Sequence, residues 1–121
     1  MLRPMLILNA LMLTALVPLP ALAADFTRIT DKSDFVAAVA GRNLTSTAVR
    51  LNVKPDGQIE GRAFGFAVTG TWDWRGGYFC RTLDTATQDF PLNCQQVESD
   101  GATIRFTADK GTGAVANLRI R

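Results

Sequence analysis

The sequence predicts a mainly β fold: an antiparallel meander of about seven strands that forms a small barrel or strongly curved sheet, with one short N-terminal helix. Three observations support this prediction. Apolar and polar residues alternate from residue 47 onward, as in half-buried strands. Short turn motifs rich in Gly, Asp and Pro separate the alternating runs. No helical pattern lies between those runs to serve as a crossover between parallel strands.

Residues 1–23 have the layout of a secretory signal peptide. Arg3 precedes an apolar run, and small residues lead up to Ala23. Cleavage after Ala23, with Ala24 as the second choice, would leave a single β-rich domain, residues 24–121, that is periplasmic or secreted and not embedded in a membrane. An uncleaved anchor is the alternative. It is disfavoured because Asn9 and prolines interrupt the run, which is short for a hydrocarbon core of ~30 Å.

Two cysteines follow this segment, Cys80 and Cys94. An even number of cysteines in an exported chain favours a disulfide. A redox pair of the thioredoxin type is disfavoured, because in that motif only two residues separate the cysteines, so that one can resolve the other. The expected role of this pair is to staple the domain.

One helix is predicted near residues 32–40. Asp31 is suited to cap its first turn, because an aspartate oxygen accepts hydrogen bonds from the free amides there. Phe35 and Val39 recur at helical spacing, and Gly41 can end the helix. The helix therefore has an apolar face that needs a partner.

The first predicted hairpin joins two strands of alternating character. Val49, Leu51 and Val53 alternate with polar residues in the first strand. Residues 54–57 read Lys-Pro-Asp-Gly and form a turn, since proline presets its own φ and glycine accepts a left-handed conformation. The second strand covers residues 58–63.

Five more strands are expected after this hairpin. The first, residues 66–74, directs Trp72 and Trp74 to one face and Asp73 to the other. The next two are separated by a polar loop that would bring Cys80 opposite Cys94. Beyond residue 74 the predicted strands are 78–83, 92–98, 103–108 and 114–120, and the predicted turns and loops are 75–77, 84–91, 99–101 and 109–113.

A meander of this kind has to bury one face and protect its edges. We therefore expect it to curl, with the helix plugging one end or covering one face. Gly61, Gly65 and Gly70 lie where a curved sheet needs a small residue.

The chain contains no histidine. This excludes Ser-His-Asp and Cys-His nucleophile systems within the chain, and His-containing zinc sites. The turns at Asp56, Asp100 and Asp109 lack the ligand spacing of a calcium loop, so no metal site is predicted. Asp73 lies between two tryptophans but on the opposite parity, which favours a solvated position. No catalytic residue and no cofactor are predicted.

Charge points to no particular partner. The sequence has 13 Lys and Arg against 11 Asp and Glu, a net charge of +2, and these residues are scattered rather than clustered. Nucleic acid is therefore not a predicted partner. The segment Gly111–Ala116 matches the loose dinucleotide pattern GxGxxA but lacks the βαβ context in which that pattern works.

The stretch GTWDWRGGYFCR, residues 70–81, has two interpretations. In the first, Trp72, Trp74 and Phe79 are core residues, since a small domain needs large buried side chains. In the second, Trp72, Tyr78 and Arg81 line an open barrel mouth. An apolar surface beside a guanidinium would suit an aromatic or anionic small molecule.

The segments DGQIEG, TGTWDW, GGYFCR, NCQQVESDG and IRFTADKGTGA resemble a group of short exported bacterial proteins of undetermined role. Many members of that group bear the name dihydrodipicolinate reductase. A true dihydrodipicolinate reductase has a nucleotide-binding α/β domain and a histidine-bearing catalytic motif. This chain departs from that pattern in both respects, so no catalytic residue is carried over. Gly70-Thr71-Trp72 also looks like the G-x-W opening of lipocalin and avidin barrels.

Together these observations predict a non-enzymatic binding module for a small ligand or for an envelope or protein partner. Two alternatives stay open. One is an enzyme, either the reductase that the resemblance implies or an activity using Asp73, Tyr78 and Arg81. The other is a structural or inhibitory protein that acts through its surface. Oligomeric state is not predicted.

Overall fold

The structure is a computed structural model that describes residues 14–16 and 25–121. The predicted cleavage site after Ala23, and the predicted signal peptide apart from residues 14–16, lie outside the described residues. Within the described part the chain forms nine strands and two short helices. In chain order they are β1 (Thr27–Ile29), α1 (Lys32–Val39), β2 (Leu44–Ser46), β3 (Val49–Val53), β4 (Gln58–Ala63), β5 (Phe66–Arg75), β6 (Tyr78–Asp84), β7 (Asp89–Ser99), β8 (Thr103–Thr107), α2 (Ala108–Gly111) and β9 (Val115–Ile120).

Eight of these strands, β2 to β9, close into an antiparallel barrel. Each strand from β2 to β8 pairs with the next one in the chain, and β9 returns to pair with β2. The extra strand β1 pairs antiparallel with β7, with Thr27 opposite Ser99. The predicted mainly β, antiparallel fold with a short N-terminal helix is confirmed.

The structure has more elements than the predicted seven strands and one helix. Strands β1 and β2 are additional, and each is only three residues long. The short helix α2 overlaps the turn predicted at 109–113 and begins at Ala108, the residue predicted to end the strand before it. Within α2, Asp109 and Lys110 have positive φ angles of 54° and 55°. Strand β7 begins at Asp89 rather than at residue 92, so the connecting loop covers only residues 85–88.

Two glycines allow the barrel to curve. A Cβ atom at Gly61 would collide with the carbonyl oxygen of Arg50, and one at Gly70 would collide with that of Thr82. The neighbouring strand therefore comes closer to these two glycines than any residue with a Cβ atom would allow.

Helix α1 closes one end of the barrel. Phe35 and Val39 on its inner face are buried. Gly41 follows the helix with a φ of +69°, which confirms the predicted end signal. The predicted cap is wrong in one respect: Asp31 occupies the N-cap position, but its side chain makes no capping hydrogen bond. Instead the carbonyl oxygen of Asp31 accepts the amide hydrogen of Phe35, with N and O 3.2 Å apart.

The hydrophobic core lies between α1 and the inner faces of the strands. Its buried members are Phe35, Val39, Leu44, Val53, Ile59, Trp72, Phe79, Val97, Ile104, Phe106 and Leu118. No helix among residues 14–16 and 25–121 has the length and apolar character needed to cross a bilayer.

The predicted disulfide is present between Cys80 on β6 and Cys94 on β7. The two cysteines are direct partners across the strand pair, with Cα atoms 3.9 Å apart. A disulfide is typical of proteins that fold in an oxidising compartment outside the cytoplasm.

Candidate functional site

The two ends of the barrel differ. The closed end includes α1 and the turns at 54–57, 76–77 and 100–102, whereas the open end includes the turns at 47–48 and 64–65, the loop 85–88 and the segment 108–114. Phe35 of α1 is fully buried at the closed end. Its ring centroid lies 5.3 Å from that of Trp72 and 5.1 Å from that of Phe79. This end is filled by aromatic packing.

The two tryptophans belong to the closed end. Trp72 is only 6% exposed, and its indole nitrogen donates to the carbonyl oxygen of Lys54 at 2.7 Å. The Trp74 indole donates to the carbonyl oxygen of Thr30 at 2.9 Å, just before α1. Both indole N–H groups therefore have backbone partners, and the rings hold the helix against the barrel.

Tyr78 lies on the outer face of the barrel. It is one residue before the inward-facing Phe79, so its side chain points the other way. The Arg28 guanidinium lies 5.0 Å from its ring centroid, and the Lys110 ammonium lies 5.5 Å from it. These are cation–π distances. Tyr78 thus connects β1 and α2 to the outside of the sheet.

Asp73 also faces outward, as its parity predicts. Its partner on β6 is Cys80, and its carboxylate accepts a hydrogen bond from Arg75 at 2.8 Å. Both charged groups are about half exposed. The surroundings of Asp73 are those of a solvated surface ion pair.

An apolar cavity of about 320 Å³ occupies the open end. Its floor consists of inward-facing aliphatic side chains from β3, β5 and β6. Its rim consists of three phenylalanines and the loop 85–88. The lining residues are Val49, Leu51, Ala63, Phe64, Phe66, Val68, Leu83, Thr85, Thr87, Gln88 and Phe90.

Phe64 has an unusual position on this rim. Its side chain is 73% exposed, and its backbone has a φ of +52°. It forms a two-residue turn with Gly65, which has a φ of +84°, because Ala63 pairs directly with Phe66. Two-residue turns with positive φ at both positions favour Asn-Gly or Gly-Gly. The equivalent turn at the closed end is Gly76-Gly77.

A second cavity of about 130 Å³ lies deeper in the barrel. It adjoins the first, because Leu51 and Leu83 line both. Most of its walls are aliphatic or aromatic, and its polar lining residues are Arg81 and Gln95. The two adjoining cavities therefore have exposed phenylalanine rings at one end and the Arg81 guanidinium at the other.

Arg81 points into the barrel. It lies opposite Trp72 on β5 and opposite Asn93 on β7. Its Nη1 atom donates to the carbonyl oxygen of Pro91 at 3.2 Å. Burial lowers the pKa of Arg81 below its ordinary value, because the guanidinium loses part of its hydration.

Two carboxylates face each other where the loop 85–88 leaves the barrel. Asp84 and Asp89 are direct partners at the ends of β6 and β7. Partial loss of hydration, followed by the hydrogen bond and the charge of Asp89, raises the pKa of Asp84 above its ordinary value.

The remaining sequence motifs have structural explanations. The GxGxxA segment starts at the end of α2 and continues into β9, and the amides of Thr112 and Gly113 donate to the carbonyl oxygen of Ala108. Those amides already have backbone partners. Among the described residues, no group of three or more acidic or cysteine side chains is arranged to hold a metal ion.

A third concavity, of about 410 Å³, lies on the outer face of β3 and β4. Its lining is polar and charged and includes Arg50, Asn52, Glu60 and Arg62. It lacks the apolar walls of a typical small-molecule site, so the adjoining cavities of the open end are the stronger candidate.

The structure therefore separates the three residues that the sequence suggested as a ligand site. Trp72 is in the closed core, Tyr78 is outside the barrel, and Arg81 alone reaches a cavity. Sequence reasoning missed the rim residues Phe64 and Phe66. The sequence did contain a signal for Phe64, because phenylalanine is unusual at the first position of a two-residue hairpin turn.

Comparisons with models of known protein families, with curated proteins and with solved structures each found no significant match.

Proposed function

We propose that this protein is a non-enzymatic binding module that takes up a small, largely apolar ligand through the open end of its barrel. One observation carries the proposal: an apolar cavity of about 320 Å³ rimmed by exposed phenylalanines. Ligand sites in proteins commonly have volumes of ~300–1,000 Å³ and mainly apolar walls with a few polar groups. The cavity of the open end fits that description.

The difference in packing between the two ends of the barrel supports a ligand site at the open end. Protein interiors are close-packed, and empty apolar volume lowers stability because its lining atoms lack partners. The closed end of the same barrel is filled by Phe35 and its neighbours. The chain thus packs one end with aromatic rings and forms an apolar concavity at the other, which is the shape of a small-molecule site.

The rim supports the same proposal. Phe64 exposes a large apolar ring and adopts a backbone conformation that costs on the order of 1 kcal/mol for a residue other than glycine. Both features are unfavourable for the isolated protein. A ligand that covers the ring would offset them.

A binding role fits the lining better than an enzymatic one. Among the described residues that line the two cavities, Arg81 alone is ionisable. General acid–base chemistry needs a group that exchanges protons near the working pH, and a guanidinium stays protonated there. The reductase activity that the resemblance implies is therefore the weaker proposal.

We place this binding in the periplasm or outside the cell. The Cys80–Cys94 disulfide supports an oxidising compartment. The signal-peptide pattern of residues 1–23 supports the same location.

The test is a titration with N-phenyl-1-naphthylamine, a neutral apolar dye whose fluorescence increases in apolar surroundings. We expect saturable binding to the native protein. Ala63→Phe, which fills the cavity at the open end, should abolish most of the increase in fluorescence. Ala67→Phe is the matched control, because Ala67 lies on the outer face of the same hairpin, opposite Arg62, and is exposed. The proposal is wrong if the folded native protein binds no dye, or if both variants bind equally well.

A further inference from the structure

Arg81 is the one charged residue among the described residues that line the two cavities of the barrel. Its partners across the strands, Trp72 and Asn93, place it on the inner face, and it lines the inner cavity beside Phe79 and Leu83. Moving a charged group from water into apolar surroundings is costly unless it gains a partner of opposite charge. Arg81 is half-buried, so part of this cost applies to it.

In the part of the chain that the structure describes, no carboxylate forms an ion pair with Arg81. The ion pairs found among the described residues are Lys54–Glu60 and Arg75–Asp73, and neither includes Arg81. The nearby Asp109 carboxylate accepts a hydrogen bond from Asn93 at 2.7 Å instead. Within the described residues, the guanidinium of Arg81 makes one hydrogen bond to the protein, with the carbonyl oxygen of Pro91. A guanidinium has five N–H donors in a planar fork, so the fork offers further donors to a ligand.

Arg81 shares the lining of the inner cavity with one other polar residue, Gln95. Gln95 is 8% exposed and lines the same space, and its side-chain nitrogen donates to Asn93 at 3.3 Å. The other walls of the inner cavity are apolar. In such surroundings a charge-assisted hydrogen bond is stronger than in water, because the local dielectric constant is low.

We infer that the ligand is an amphipathic carboxylate, whose acid group pairs with the Arg81 guanidinium while its apolar body lies along the open cavity towards Phe64 and Phe66. This inference rests on the proposed binding function and specifies its ligand class. A carboxylate matches the guanidinium fork with two parallel hydrogen bonds. The adjoining cavities supply an apolar path from the rim to that charge.

The test compares three probes that share one tail: decanoate, 1-decanol and decylammonium. We expect calorimetry on the native protein to give tighter binding of decanoate than of decanol by about 10- to 100-fold, the range for a net gain of one charge-assisted hydrogen bond. Decylammonium should bind most weakly. Arg81→Met should remove the preference for decanoate and leave the affinity for decanol unchanged or higher.

Arg62→Met is the matched control. Arg62 also donates to a backbone carbonyl at the open end, that of Gly65 at 2.7 Å, but it lies outside the barrel. It should leave the preference for decanoate intact. Equal binding of decanoate and decanol by the native protein would overturn the carboxylate inference and leave the binding function standing. If the folded protein binds neither probe, the carboxylate inference fails; if it also binds no N-phenyl-1-naphthylamine, the binding function fails with it. Should Arg81→Met not fold, the comparison in the native protein still decides.

Discussion

Trp72 and Arg81 lie directly opposite each other on β5 and β6 and share the inner face of the barrel, yet they serve different ends of it. Trp72 is buried against Phe35, and its indole N–H donates a hydrogen bond to the carbonyl oxygen of Lys54. Arg81 reaches the other way, to Pro91 and the inner cavity. The boundary between packed core and hollow interior therefore passes between these two residues.

Phe35→Ala should destabilise the protein severely. Phe35 is fully buried and contacts Trp72, Trp74, Phe79 and Phe106. Truncation of a buried phenylalanine costs about 3–5 kcal/mol, which is a large part of the ~5–15 kcal/mol that stabilises a typical domain. Urea denaturation measures the difference. Phe66→Ala, at the open end, should cost about 1 kcal/mol or less. Similar losses for the two would contradict a packed closed end.

Loss of the disulfide should also destabilise the domain. Cys80 and Cys94 are 14 positions apart, and a cross-link closing a loop of about that size contributes roughly 3 kcal/mol by restricting the unfolded chain. The double variant Cys80→Ala, Cys94→Ala should therefore unfold at lower denaturant concentration. Reductant should lower the stability of the native protein and leave that of the double variant unchanged. Two free thiols in protein recovered from its native compartment would refute the bridge.

Much of the fold follows from local pattern. Residues 49–53 and 58–63 alternate strictly around a Pro-Asp-Gly turn, and the structure has strands with those bounds. Strands β1 and β2 could not be predicted in this way, because three residues are too few to establish a period. Their pairing is long-range: Leu44 lies opposite both Leu51 and Ile120. Barrel closure at β2 and β9 depends on those tertiary contacts.

The candidate site was less predictable than the fold. Parity correctly separates Asp73 from the tryptophans, but it cannot tell which end of a barrel a residue faces. That depends on where α1 packs, and α1 fills the end nearest Trp72. Phe66 and Trp72 share one parity on β5, and only the position of the helix makes the first a rim residue and the second a core residue.

Asp84→Asn should stabilise the protein at neutral pH. The folded state raises the pKa of Asp84, so this group favours folding at pH values below the ordinary aspartate range and loses that contribution as the pH rises through the raised value. At pH 7 two charged partners, Asp84 and Asp89, face each other, which is unfavourable across a strand pair.

Thermal unfolding of Asp84→Asn should accordingly show a small rise in Tm at pH 7 and no rise at pH 3. Asp73→Asn is the comparison, because Asp73 is also exposed but pairs with Arg75. It should not raise the Tm at pH 7. A gain for Asp84→Asn that is the same at both pH values would show that repulsion between carboxylates is not its cause.

Phe64→Asn should stabilise the protein and weaken ligand binding. Asparagine tolerates the left-handed backbone of this turn, whereas phenylalanine at a φ of +52° is strained, so we expect a gain of roughly 1 kcal/mol in the free energy of unfolding. Loss of the ring from the rim should reduce the affinity for N-phenyl-1-naphthylamine several-fold.

The reciprocal change, Gly76→Phe, places phenylalanine at a similar φ of +56° in the closed-end turn and should destabilise by a similar amount without altering dye affinity. Urea denaturation and dye titration of both variants provide the measurements. If Phe64→Asn binds the dye as well as the native protein does, then Phe64 is not part of the ligand site, and its strained position needs another explanation.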